Sequence, residues 1–151
     1  DAIAINGIKL NLNIEIDDAE LMGKVTEIMD ASDWYNVDVI TCAAPNLRVQ
    51  NNYNGKSSYN NAKKMTNDEL LKLHEKRLKR ILDTAFSEDD ETIILGAFGC
   101  GAFMNDPQIV AQAAKNVIRE YLYSFKNIEF AVYCSPRDDR NYRIFDRVLK
   151  K

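Results

Sequence analysis

Glycine is scarce in this chain: 6 of its 151 residues, beside 3 prolines, 3 cysteines and a single histidine. The cysteines, Cys42, Cys100 and Cys134, are odd in number and lack CxxC spacing, which excludes a disulfide framework and an ordinary zinc site. No metal or cofactor is implied. Cys42 and Cys134 sit in apolar runs and read as small core residues of a protein in a reducing cytoplasm. No apolar run is long enough to cross a bilayer and no signal peptide opens the chain, so a membrane partner is not expected. An excess of basic charge is also missing. The net charge is −3 and the pI about 5.2, which argues against a nucleic-acid partner. The bases from Lys72 to Arg80 and from Arg137 to Lys151 read as solvated helix faces.

What is present fits one domain spanning residues 1–151. The chain opens at Asp1, without an initiator methionine, in sequence that already reads as structured, as the C-terminal portion of a longer protein would. Ile8, Leu10, Leu12, Ile14 and Ile16 alternate with polar residues and predict a half-buried strand, with Asn6-Gly7 as a turn before it. "DDAELMGKVTEIMDAS" changes to helical period. Val37–Ala44, Glu91–Phe98 and Ile128–Cys134 read as buried strands. Thr66 and Glu69 have capping-box spacing. They predict a helix with Leu70, Leu71, Leu78, Ile81, Leu82, Ala85 and Phe86 inward, ended by the acidic turn Ser87–Asp90. Asp106-Pro107 opens another helix, with Ile109, Val110, Ala113, Ala114, Val117, Tyr121 and Leu122 on its inner side. A last helix turns Ile144, Phe145, Val148 and Leu149 inward. Strands alternating with helices predict an α/β fold with a mostly parallel sheet.

Half of the glycines fall within six positions, in "LGAFGCGAFMNDP". The segment follows a strand and leads into a helix N-terminus, where unpaired backbone N–H groups suit phosphates. Glycines there let a ligand approach the backbone, and Phe98 and Phe103 offer flat surfaces for a base or ribose. The GxxGxG spacing is neither a Walker loop nor a dinucleotide fingerprint. A glycine turn that binds nothing is the competing reading, and Asp106 already places a carboxylate at the positive helix end.

"VITCAAPNLR", "ILGAFGCGAFMNDPQIVA" and "FKNIEFAVY" together resemble the microbial-type poly(ADP-ribose) glycohydrolase family, a branch of the macrodomain fold, from about Val37 to Phe145. The resemblance implies a macrodomain-like α/β/α architecture, incomplete on its N-terminal side. It implies that Gly96, Gly99, Cys100, Gly101 and Ala102 surround the diphosphate of ADP-ribose, and that Phe103 packs on the ligand's rings. Ala44, Pro45 and Asn46 would lie at the neighbouring strand end. ADP-ribose or an ADP-ribosylated protein is the implied partner. Family members that cleave ribosyl bonds carry a Gly-Gly-Gly loop and a Gln-Glu-Glu acid, and this sequence has neither. Protonating the leaving oxygen needs such a carboxylate. The expectation is a binding module that hydrolyses only with an upstream catalytic segment; the alternative is an interaction or scaffold domain with a degenerate loop.

Glu88–Glu91 read as a solvated turn, and no residue of the chain is assigned a catalytic role. His74, among Lys72, Glu75 and Lys76, reads as a surface residue. Cys100 is a weak candidate thiol nucleophile. Tyr53 and Tyr59, in the Asn-rich stretch 46–64, could close over a nucleotide, while Trp34 and Tyr35 read as packing aromatics.

Overall fold

A computed structural model gives the structure of the chain and describes residues 3–10, 32, 35–48 and 65–150. The expected helix after Asp17, the alternation beyond Leu10, Trp34, and Tyr53 and Tyr59 in the Asn-rich stretch lie outside the described residues. The chain divides into two compact units, residues 1–43 and 44–151.

In the first unit β1 (Ile3–Leu10) pairs antiparallel with β2 (Tyr35–Cys42). Asn6-Gly7 is not a turn: both residues lie within β1, opposite Val39 and Asp38. β2 covers most of the expected strand, but it is half-buried rather than buried, with Asp38 and Thr41 exposed. Cys42 is only partly covered.

The second unit starts its helices where the sequence signals them. α1 (Asn67–Ser87) is opened by the capping box: the Glu69 N–H donates to Thr66 Oγ1 at 3.2 Å and the Thr66 N–H to Glu69 Oε2 at 2.8 Å. The Thr66 N–H and then the Thr66 hydroxyl, which donates to the same Oε2 at 3.0 Å, hold the Glu69 carboxyl below its usual range. Two bonds close the helix, from the Asp89 N–H to the Phe86 carbonyl at 3.2 Å and from the Asp90 N–H to that of Ala85 at 3.1 Å. Asp89 takes the left-handed conformation (φ 61°) that glycine usually fills in this motif. The acidic stretch is therefore a helix stop.

β3 (Thr92–Leu95) and β4 (Asn127–Phe130) pair in parallel, Thr92 opposite Asn127 and Leu95 opposite Phe130. Between them runs α2 (Pro107–Ile118), so β3-α2-β4 is the crossover unit that parallel pairing requires. Asp106 caps α2 by accepting the Gln108 N–H at 2.9 Å, and Pro107 fills the first position. α3 (Arg140–Leu149) buries Phe145 and Val148 against Val110 and Ala111 of α2. The α/β class holds.

Burial departs from the periodicity at particular residues. Ile93 and Leu95 are buried, yet Ile94 between them is 66% exposed, so β3 buries one face only. β4 is half-buried and stops at Phe130, which leaves Cys134 exposed rather than in a core. Phe86 and Leu122 are also exposed. α2 has ended before Leu122, so its helical register no longer applies there. Tyr121 is buried from the turn after the helix, its hydroxyl donating to Asp83.

Leu82 is fully buried and Leu122 is 59% exposed. Leu82→Ala is expected to cost about 2–5 kcal/mol and Leu122→Ala less than about 0.5 kcal/mol in urea unfolding. Equal costs would contradict this placement of the core.

Candidate functional site

The carboxyl end of β3 leads directly into the glycine segment. Short backbone bonds fold it back on itself: the Cys100 N–H donates to Ala97, that of Met104 to Gly101 and that of Asn105 to Gly99, each at 3.0 Å. Segment 44–48 lies against it, the Leu47 N–H donating to the Phe103 carbonyl at 3.0 Å. The Ala44-Pro45-Asn46 step and the loop are thus brought together within one unit.

The three glycines are not equivalent. Gly99 has φ 76°, and a Cβ placed on it would come within 2.6 Å of both Ala44 Cβ and Asn105 Nδ2. Its need for glycine is internal to the protein. Gly96 would tolerate a Cβ, with the Ala131 carbonyl at 3.8 Å, and a Cβ on Gly101 would meet nothing within 4 Å. Gly101, Ala102 and Phe103 are exposed. Their backbone N–H groups make no hydrogen bond among the described residues. Three successive N–H groups at an open crest can receive an anion.

The aromatic pair divides. Phe98 packs against the α2–α3 core, and its ring meets that of His74 edge-on at 5.7 Å. Phe103 keeps 37% of its surface exposed and stands at the crest.

Asn105, which the sequence reading passed over, holds the site together. It is 2% exposed. Its amide nitrogen donates to the Pro45 carbonyl at 2.7 Å and that of Gly99 at 3.0 Å, with Phe103 farther off at 3.4 Å. Turning the amide over would set its oxygen against these carbonyl oxygens, so the orientation is fixed. Asn105 Oδ1 therefore accepts, and His74 Nε2–H donates to it at 2.9 Å.

His74 is consequently not a surface residue; it is fully buried. It stands four residues after Leu70 and four before Leu78, on the buried face of α1. That spacing was the available signal, hidden by the charged residues on either side. With Nε2 as donor, Nδ1 carries no proton in the neutral ring, and it has no hydrogen-bond partner among the described residues. Burial pushes the His74 pKa below its usual value; the bond to Asn105 opposes the shift and the Arg77 charge adds to it.

Cys100 is not a poised nucleophile. Burial, and next the Asp106 carboxylate, push its thiol up to about 12, against a smaller opposing pull from Arg140. Asp106 neutralises the helix end that would otherwise favour a thiolate. Asn46 is exposed and its Oδ1 accepts the Arg48 N–H at 3.1 Å. No group of histidine, cysteine and acidic side chains among the described residues could hold a metal ion.

The fold of this chain recurs in solved structures. The poly(ADP-ribose) glycohydrolase of Deinococcus radiodurans, in complex with ADP-ribose, is 24% identical with a TM-score of 0.66, over 98% of this chain and 52% of that one. The glycohydrolase of Thermomonospora curvata is 22% identical with a TM-score of 0.71, over 97% of this chain and 46% of that one. This is the fold of the bacterial poly(ADP-ribose) glycohydrolases. The resemblance read from the sequence is borne out in the fold, and the chain spans about half the length of the glycohydrolases it matches. No protein-family model matches the sequence, and no curated protein does. Among the described residues, no helix is long and apolar enough to cross a membrane.

Gly99→Ala is expected to destabilise the protein by about 1–3 kcal/mol, through left-handed strain and the collision with Asn105, whereas Gly101→Ala stays within about 0.5 kcal/mol. Urea unfolding of both variants checks this, and equal costs would contradict it. His74 gives a pH signature. Its folded pKa is lowered, so its contribution is complete above the unfolded value of about 6.5 and is lost as pH falls through the folded value. Stability is expected to drop from pH 7 to 5.5, and His74→Gln, which cannot titrate, should flatten that drop. An unchanged slope in the variant would count against the neutral buried ring.

Proposed function

We propose that the chain is an ADP-ribose-binding, macrodomain-like module whose diphosphate cradle is the segment Gly96–Phe103. The observation that carries this reading is the exposed run of unengaged N–H groups at Gly101, Ala102 and Phe103, beside a glycine with open space at its Cβ position. Backbone donors of this kind bind phosphate oxygens without a side chain. The likeness to a fold solved with ADP-ribose supports the choice of ligand. Phe103 is exposed next to these donors and supplies an aromatic surface for the ligand's rings. Ala44 and Pro45 back the loop from the protein side, and Asn46 beside them is exposed to a ligand.

The module binds free ADP-ribose or the same group on a modified protein. Hydrolysis of the ribosyl bond requires a carboxylic acid at the leaving oxygen. The sequence contains no Gly-Gly-Gly or Gln-Glu-Glu, and Glu88–Glu91 lie at the amino end of β3, away from the glycine segment. Cleavage therefore depends on an upstream segment that carries the acid. The scaffold reading draws support from Gly99, whose conformation is fully explained by internal contacts.

Calorimetric titration separates the two readings. The chain is expected to bind ADP-ribose well above AMP and ribose-5-phosphate. Gly101→Val, whose Cβ has open space around it, should weaken that binding at least about tenfold, as expected when a close backbone–phosphate approach is blocked. Binding untouched by Gly101→Val, or absent in a folded sample, would favour the scaffold.

A further inference from the structure

The loop's charge balance leaves a role open. A diphosphate brings negative charge to a segment whose helix end is already occupied by the Asp106 carboxylate. The Arg140 charge is felt at Cys100 in this loop but is outweighed there by Asp106, and anion sites that discriminate well add a cation in hydrogen-bond contact with the anion. Several cations on α2 and α3 are engaged elsewhere: Arg143 with Asp139, Arg147 with Gln108, Lys150 with Asp146 and Lys115 with the Val148 carbonyl.

Arg48 is bonded to the loop itself. Its Nε–H donates to the Ala102 carbonyl, 54 residues away in sequence. Its backbone N–H is held by Asn46 Oδ1, and its neighbour Leu47 is tied to Phe103. The guanidinium is a planar fork, so anchoring Nε keeps the terminal nitrogens within one guanidinium width of Ala102. Those nitrogens make no hydrogen bond among the described residues, and Arg48 is exposed. An arginine held by Nε, with its terminal donors unused, beside three unengaged N–H groups, is arranged to meet phosphate oxygens in two-point fashion.

We propose that Arg48 recognises the diphosphate of a nucleoside-diphosphate ligand at this loop, an assignment that rests on the ADP-ribose reading above. It makes Arg48 a determinant of specificity, favouring diphosphate ligands over neutral nucleosides.

The test is titration of the full chain with ADP-ribose and with adenosine, which lacks phosphate, in the wild type, Arg48→Met and Arg48→Lys. Arg48→Met is expected to weaken ADP-ribose binding roughly 10- to 100-fold, with adenosine binding held within about twofold and the thermal midpoint unchanged. Arg48→Lys keeps the charge and should recover part of the loss; if the Met variant does not fold, the Lys variant must still show a selective deficit for ADP-ribose. ADP-ribose affinity unaltered in Arg48→Met would overturn the assignment while leaving the binding reading intact. So would equal losses for both ligands, which would make Arg48 only a latch on the loop. A wild-type chain that binds no ADP-ribose would instead overturn the reading on which the assignment rests.

Discussion

The buried side-chain amide of Asn105 is the constraint on which the glycine segment depends. It ties the carbonyl of Gly99, inside the loop, to that of Pro45, 60 residues earlier, and it is itself held from behind by His74. Removing it would take the donor from the Pro45 carbonyl, at a cost of about 1–3 kcal/mol, while the Gly99 carbonyl would keep the Asn105 backbone N–H. The need for glycine at position 99 is reinforced by the same contact: φ is 76°, and the Asn105 amide and Ala44 Cβ both occupy the space a Cβ would need. One polar side chain thus braces the loop and adds to one glycine requirement.

This fixing has a consequence for binding. A loop that must be ordered by its ligand loses affinity to that ordering, whereas a loop already held by the protein does not. The internal bonds of Cys100, Met104 and Asn105 use up part of the segment's backbone and leave the crest at Gly101–Phe103 facing outward. The structural demand for glycine thus falls on Gly99, while Gly101, two positions on, faces open space and is free for the proposed recognition role. The Asp106 carboxylate shapes the chemistry as well: it caps α2 and adds to burial in suppressing thiolate formation at Cys100, which makes that thiol a poor nucleophile.

Much of the local structure was legible in the sequence. Thr66 and Glu69 specify a helix start by two bonds within four residues, and Asp106-Pro107 does so as compactly. The location of the glycine segment, after a strand and before a helix, was legible for the same reason. Features set by distant partners were not. Asn105 reads as one more loop residue because its partners lie 31 and 60 positions away. His74 was misjudged from its charged neighbours, although Leu70 and Leu78 at helical spacing put it on the buried face. Ile94 was read as buried because the run Ile93–Leu95 is continuously apolar, whereas β3 buries alternate residues. Glycine identity alone could not separate Gly99 from Gly101, since the difference lies in which atoms stand opposite each.

The central claim is that the protein itself, through Asn105, holds the loop in shape before any ligand arrives. Amide hydrogen exchange read by NMR on the ligand-free chain, wild type against Asn105→Ala, tests it most directly. The account predicts that the backbone amides of Leu47, Met104 and Asn105 are protected in the wild type and lose that protection in the variant, while the amides of α1 stay protected. Exchange at these three amides that is fast in the wild type, or unchanged in Asn105→Ala, would contradict it.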